Sequence, residues 1–199
     1  KLYIVANRLP VKAVPRQDSY TFVRSEGGLA TGLDSLQISM EKHWIGWPGV
    51  CVDNVRQQME IGASGDDGFS SDILSEEQYH DYYEGYSNST IWPLCHYFFS
   101  HTTVRKEYWE SYQKVNALFC EEICKQVGSG DWVWIQDYQL MLLPGMLRKR
   151  MPNLHIGYFH HIPFPSYELF RILPERAELL NGLMGADFIG FHTHDYMRY

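Results

Sequence analysis

Residues 2–6 read Leu-Tyr-Ile-Val-Ala, an almost unbroken apolar run rich in β-favouring side chains. Such a run suits a strand buried on both faces of a parallel sheet. Beyond it the pattern changes. Leu29, Leu33, Leu36 and Met40 recur near helical spacing, so a helix is expected to start just after Gly27 and Gly28. Residues 8–26 form a polar loop holding Pro10 and Pro15, with one short β-like piece at 20–23. Residues 43–47 read as a second strand closed by Pro48-Gly49, and residues 59–63 as a weaker third inside turn-rich surroundings at 62–72.

Ser75-Glu76-Glu77-Gln78 matches a capping box and predicts a helix from 76 to about 86. Tyr79, Tyr82, Tyr83 and Tyr86 would then share one face, and Ile91-Trp92-Pro93-Leu94 would form a proline-interrupted turn. A long helix over 106–127 puts Trp109, Tyr112, Val115, Phe119 and Ile123 on one side, with Gly128 as its C-terminal cap. Strands and helices alternate from there. Strands are expected at 132–135, 154–160 and 188–191, helices at 140–150 and 175–184, the latter capped by Gly185, and the start of another at 195–199. This rhythm predicts an α/β fold with a doubly wound, mostly parallel, Rossmann-like sheet and ligand groups at the carboxyl ends of its strands.

Composition narrows the function classes. With 199 residues, 45% hydrophobic and 21% charged, the chain can bury the core of one domain. No apolar run approaches the roughly 20 residues that cross a bilayer, and no export signal is visible at the start, so a cytoplasmic protein with no membrane partner is expected. A formal charge of -7 argues against nucleic acid as a partner. Cys51, Cys95, Cys120 and Cys124 contain no CxxC pair and read as reduced packing residues. Aromatic residues make up 15% of the chain, more than a core needs, so some should line a pocket for a ligand with flat CH faces and many hydroxyls.

The candidate chemistry sits at the strand ends. Gly27-Gly28 lies where a loop feeds a helix N-terminus, a place suited to phosphate, with Arg8 able to add a charge-assisted contact; a plain tight turn and a surface arginine are the simpler alternative. The other ends carry Gln136-Asp137-Tyr138, His160-His161-Ile162-Pro163-Phe164-Pro165 and His192-Thr193-His194. Asp137 either caps a helix starting at Tyr138 or faces the cleft. His160 and His161 point to opposite sides of their strand, so at most one faces the cleft and the other is expected to be a satisfied core histidine. A catalytic zinc would need more convergent ligands than the compact His pairs offer, no G-x-S-x-G elbow is present, and glycoside hydrolysis lacks an obvious second carboxylate. What remains suits binding of a phosphorylated sugar.

Val5-Ala6-Asn7-Arg8, Gly27-Gly28-Leu29-Ala30, Trp44-Ile45-Gly46-Trp47, Tyr82-Tyr83, Trp92-Pro93, Trp134-Ile135-Gln136-Asp137-Tyr138 and His161-Ile162-Pro163-Phe164-Pro165 occur in an order that resembles the trehalose-6-phosphate synthase family, glycosyltransferase family 20. The resemblance spans residues 2–191. It implies the N-terminal, acceptor-side half of a glycosyltransferase-B fold over residues 1–199, with a C-terminal donor-binding domain of the same enzyme absent from this chain. It further implies transfer of glucose from UDP-glucose to glucose 6-phosphate with retention of configuration, without metal or other cofactor. On that basis Arg8, Trp47 and Tyr83 contact the acceptor phosphate region, and Trp92 and Asp137 the acceptor sugar. Gly27 and Gly28 lie beside the leaving diphosphate, and His161 bonds the donor glucose, so Asp137 and His161 are the catalytic candidates. The remaining donor-binding basic and acidic residues would belong to the absent domain, so this chain is expected to be inactive alone. Gln136 departs from the histidine common in relatives, and the loop between Arg8 and Glu26 is expected to order over bound substrate. A non-catalytic sugar-phosphate sensor on the same fold and a glycogen-synthase-like enzyme are the rival readings, and the sequence leaves homo-oligomerisation open.

Overall fold

A computed structural model describes residues 1–16, 19–24, 32, 38–49, 51, 69–71 and 74–198. The Gly27-Gly28 turn, the strand expected at 59–63 and most of the helix expected after the turn lie outside the described residues; of that helix, Gly32 is helical and Met40 is not.

Eight strands are described: β1 (Leu2–Arg8), β2 (Val11–Arg16), β3 (Ser19–Arg24), β4 (Lys42–Trp47), β5 (Phe69–Ser71), β6 (Trp132–Gln136), β7 (His155–His160) and β8 (Phe188–Phe191). Six of them form one sheet in the order β5-β4-β1-β6-β7-β8, and every pairing in it is parallel. β2 and β3 pair antiparallel as a separate ribbon within the stretch that reads as a polar loop, and Pro15 is accommodated in this two-stranded piece. β5 falls in the segment that looks like turns alone, since three residues are too few for a pattern to emerge.

Central β1 is buried from Leu2 to Asn7 because both its faces are covered. Tyr3 and Val5 join Ile45, Trp47 and Ile135 in one cluster, while Leu2, Ile4 and Ala6 join Leu9, Val11 and Trp44 in the other. The chain steps from β1 to β4 and β5 on one side and from β6 to β7 and β8 on the other. The direction of winding therefore reverses between β1 and β6, the position at which open α/β sheets bind ligands beyond their carboxyl ends.

One long helix, α1 (residues 76–95), carries much of what surrounds that position. Its capping box forms as expected: Gln78 N–H donates to Ser75 Oγ at 3.1 Å, and Ser75 N–H to Gln78 Oε1 at 3.0 Å. It does not end near Tyr86. After one α turn it widens into a π-helix over Tyr79–Ile91 and closes with an α turn, Trp92–Cys95. Pro93 is tolerated because the carbonyl its missing N–H would have met, that of Ser89, accepts from Thr103 N–H at 2.7 Å. Thr90 Oγ1 bonds the Thr103 carbonyl in turn. The wider winding also splits the tyrosine stripe. Tyr82 and Tyr86 are fully buried against Tyr112, whereas Tyr79 and Tyr83 stack on each other at 5.3 Å and stay partly exposed. Past Cys95, Phe98 N–H reaches back to the Pro93 carbonyl and Tyr97 N–H to that of Leu94, a Schellman closure that puts Tyr97 at φ 65°.

Helix α2 (Lys106–Gln126) buries Tyr112, Val115, Phe119 and Ile123. Gly128 is not its cap: Val127 is already extended, Gly128 N–H donates to Asp131 Oδ2, and the left-handed residue is Gly130. A 3-10 turn (Tyr138–Leu140) precedes α3 (Leu143–Arg150), with Pro144 in the first turn of the helix, where no N–H is missed. Then come α4 (Tyr167–Phe170), α5 (Arg176–Leu183) and α6 (His194–Met197). Gly185 likewise acts otherwise than as a cap. A Cβ there would stand 2.5 Å from Gly145 Cα, so its role is the close approach of the chain after α5 to α3. None of the four cysteines is in a disulfide. Among the described residues, no helix is long and apolar enough to cross a membrane.

Candidate functional site

Because the main sheet is wholly parallel, Arg8, Trp47, Gln136, His160 and Phe191 all close their strands at the same edge. Asn7, the last buried residue of β1, belongs to the scaffold: Tyr82 Oη donates to its Oδ1 at 2.9 Å and ties the strand to α1. Arg8 emerges beyond it, exposed, with its guanidinium over the Trp47 ring at 5.3 Å. Trp47 is itself buried, tilted against Tyr79 at 4.8 Å, and Tyr79 stacks on Tyr83. Arg8, Trp47, Tyr79 and Tyr83 thus form one continuous ladder from β1 and β4 to α1. The ladder positions a cation above an aromatic wall.

Asp137 follows β6 in a backbone conformation, φ 72° and ψ 173°, that residues other than glycine rarely adopt. It is fixed from three directions. Its N–H donates to the Phe159 carbonyl at 2.8 Å, and its Oδ1 accepts from Tyr138 N–H at 3.0 Å and from His161 N–H at 3.1 Å. The next residues are braced by α2: Tyr112 Oη donates to the Tyr138 carbonyl at 2.7 Å and accepts from Met141 N–H at 3.0 Å, while Asn116 Nδ2 donates to the Gln139 carbonyl. Asp137 therefore caps the turn at Tyr138 and also projects at the strand end. Of the two readings left open by the sequence, the capping one is seen directly. Burial pushes its carboxyl up to about 6, against the pull of the His161 and Tyr138 N–H groups and of nearby His192 and His96.

The adjacent histidines separate as strand geometry requires. His160 is 1% exposed with its Nδ1 3.0 Å from Tyr158 Oη, but its Nε2 has no hydrogen-bond partner, so this core histidine is only half satisfied, and burial lowers it to about 3. His161 is partly exposed, with Nε2 2.8 Å from Gln136 Oε1 and Nδ1 3.0 Å from His192 Nε2. Burial, then His192, lowers it to about 4, so its ring is neutral near pH 7. Gln136 is 1% exposed, and its Nε2 has no hydrogen-bond partner.

On the α1 side, Trp92 is 38% exposed and stacks on His96 at 4.0 Å. A hollow of about 390 Å³ opens beside it, lined by Asn88, Ser89, Trp92, Pro93, Phe98 and His101. Tyr138 Oη donates to Asn88 Oδ1 at 2.9 Å, which joins this hollow to the turn that follows Asp137. Of the residues singled out from sequence, Arg8 is thus brought to Trp47, and Asp137 to His161; Trp92 stacks on His96, whose charge acts on Asp137, and Tyr83 reaches Arg8 through Tyr79 and Trp47. Gly27 and Gly28 are outside the described residues. Thr193 caps α6 through its Oγ1 and His194 lies within that helix. His96, Tyr79 and the His161–His192 contact were not foreseen. Only the position of His192 at a strand end hinted at it. Among the described residues no group of three or more His, Cys, Asp or Glu is placed to hold a metal ion.

A model described as "Glycosyltransferase family 20" matches residues 1–199. The chain is 42% identical over 209 residues to alpha,alpha-trehalose-phosphate synthase [UDP-forming] 1 of Aspergillus fumigatus, covering 100% of this chain and 40% of that protein. It superposes with a TM-score of 0.79 and 27% identity on an alpha,alpha-trehalose-phosphate synthase (UDP-forming) from Burkholderia xenovorans in complex with glucose-6-phosphate, covering 100% of this chain and 41% of that one. An E. coli structure described as trehalose-6-phosphate bound with UDP-2-fluoro glucose aligns with a TM-score of 0.77 and 28% identity, over 99% of this chain and 42% of that one. The chain therefore spans about two fifths of the length of the proteins it matches.

Proposed function

Because the chain belongs to glycosyltransferase family 20, we propose that it is the acceptor-side half of a UDP-forming trehalose-6-phosphate synthase, which moves glucose from UDP-glucose to glucose 6-phosphate. The single observation that carries this reading is Asp137. A carboxylate is held in a glycine-like backbone conformation at the winding reversal, pinned to the His161 N–H and placed near His96, which stacks under Trp92. The Burkholderia and E. coli proteins supply the two ligand classes such a cleft would take.

In this reading Arg8 binds the acceptor phosphate, supported from below by Trp47, with Tyr83 further along the same aromatic ladder. The Trp92 indole offers a flat face to the sugar ring, and Asp137, ionised near neutrality, accepts from its hydroxyls. His161 stays neutral and bonds the donor glucose, and Gly27 and Gly28 lie by the diphosphate. Transfer proceeds on one face: the anomeric carbon–oxygen bond to the diphosphate breaks, the acceptor hydroxyl oxygen bonds that carbon, and its proton passes to the departing phosphate oxygen. Configuration is retained and neither a second carboxylate nor a metal ion is required. Preorganised N–H donors and cations stabilise the growing diphosphate charge. Most of those cations, and the groups that hold the nucleotide, belong to a C-terminal domain beyond this chain.

The test is UDP release by the full-length protein, which should require UDP-glucose and glucose 6-phosphate together. Residues 1–199 alone should show no transfer, and turnover by that piece would overturn the division of labour proposed.

A further inference from the structure

His161 is engaged at both ring nitrogens, by partners of opposite character. Gln136 Oε1, 2.8 Å from Nε2, can only accept, so His161 donates from Nε2 and its Nδ1 is left as an acceptor. With that tautomer the donor in the 3.0 Å contact to Nδ1 is His192 Nε2. Gln136 is 1% exposed and locked at the end of β6, and its amide nitrogen is left unpaired, a cost that an apolar residue would avoid. A side chain kept at that cost is there for what it does to His161. His192 is the first residue past β8 and is exposed, so it is free to leave.

We propose that Gln136 is a positioning residue that fixes His161 as its neutral Nε2–H tautomer, and that His192 is a placeholder for a sugar hydroxyl of the nucleotide-sugar donor, holding Nδ1 until that hydroxyl displaces it. The proposal rests on the reading of His161 as a donor contact. A hydroxyl suits the exchange because it donates as His192 does, so the Nδ1 lone pair is satisfied before and after binding. The displaced imidazole regains water at the surface. A group that only accepts hydrogen bonds cannot make the exchange, because His192 would leave and Nδ1 would then face a second acceptor. Burial keeps the ring neutral across the physiological range, so the arrangement is maintained without a proton from solution.

Selective ¹⁵N-histidine labelling of the full-length protein at pH 7, free of ligand, reads the tautomer directly. His161 should carry its proton on Nε2, Gln136→Glu should keep it there because a carboxylate only accepts, and Gln136→Leu should lose the preference while retaining a cooperative melting transition. A proton on Nδ1, or an even mixture in the parent, overturns the positioning role. Calorimetry with UDP-glucose tests the placeholder. His192→Ala should bind about three- to tenfold more tightly, the scale of one neutral hydrogen bond no longer displaced; equal or weaker binding overturns it. His161→Ala separates the two levels. If it binds as the parent does, the donor-contact reading fails; if it weakens binding and His192→Ala weakens it too, that reading stands and the placeholder falls.

Discussion

Asp137 accepts the His161 backbone N–H at 3.1 Å across the boundary between β6 and β7, one of three hydrogen bonds that fix Asp137 there. Asp137 holds it from a conformation that costs a non-glycine residue roughly 1–3 kcal/mol. Asp137→Gly relieves that strain while removing the carboxylate. The variant should melt within about 2 °C of the parent or above it, while transfer to glucose 6-phosphate falls at least about 100-fold. A large fall in melting temperature would show that the carboxylate is retained for folding instead.

Two buried groups drive stability against pH in opposite directions. Folded Asp137 keeps its proton up to about 6 whereas the unfolded carboxyl loses it near its ordinary value of 3.8, so the fold binds more protons between these values and loses stability as pH rises through them. His160 titrates at about 3 when folded and at 6.5 when unfolded, so between these values the unfolded chain binds more protons and stability is lost as pH falls. Melting curves from pH 4 to 7 should therefore rise more steeply with pH in Asp137→Asn and flatten in His160→Gln. Unchanged slopes in both variants would refute these assignments.

Arg8 lies over Trp47 with its fork exposed. A bidentate contact to phosphate contributes roughly 1.5–3 kcal/mol, so Arg8→Ala should raise the KM for glucose 6-phosphate about 10- to 100-fold. Arg8→Lys should recover only part of this, because an ammonium supplies charge without the fork. Equal KM values in steady-state kinetics for the parent and both variants would remove Arg8 from the acceptor site.

Tyr97 closes α1 in a left-handed conformation at φ 65°, a position that glycine fills without penalty. Tyr97→Gly should add about 1 kcal/mol of stability, seen as a rise of roughly 2–4 °C in melting temperature. A fall would mean that the exposed Tyr97 ring contributes packing that outweighs its backbone strain.

The parts of the fold that could be read from the sequence are those in which one periodicity decides. β1 announces itself as an apolar run because both its faces are covered, β6 and β7 are legible as short strands buried at alternate positions, and the Ser75 capping box is local chemistry complete within four residues. The end of α1 was not legible, since a helix wound with i→i−5 bonds abandons the 3.6-residue repeat and Thr103, distant in sequence, takes the carbonyl freed by Pro93. Gly128 and Gly185 resemble caps in the sequence, yet one sits beyond an extended Val127 and the other serves helix contact. In the site, Arg8, Asp137 and His161 were visible as polar residues ending apolar strands. The His161–His192 contact was not, because it joins residues 31 apart that only the β7–β8 pairing brings together.

Thr103 is gripped from both sides by α1, its N–H by the Ser89 carbonyl and its own carbonyl by Thr90. The segment carrying Phe98 and His101 is thereby fastened to the helix that presents Trp92, and the hollow between them has walls of one piece. If the acceptor sugar lies against Trp92 as proposed, it meets a surface already shaped, and little conformational freedom is surrendered on contact.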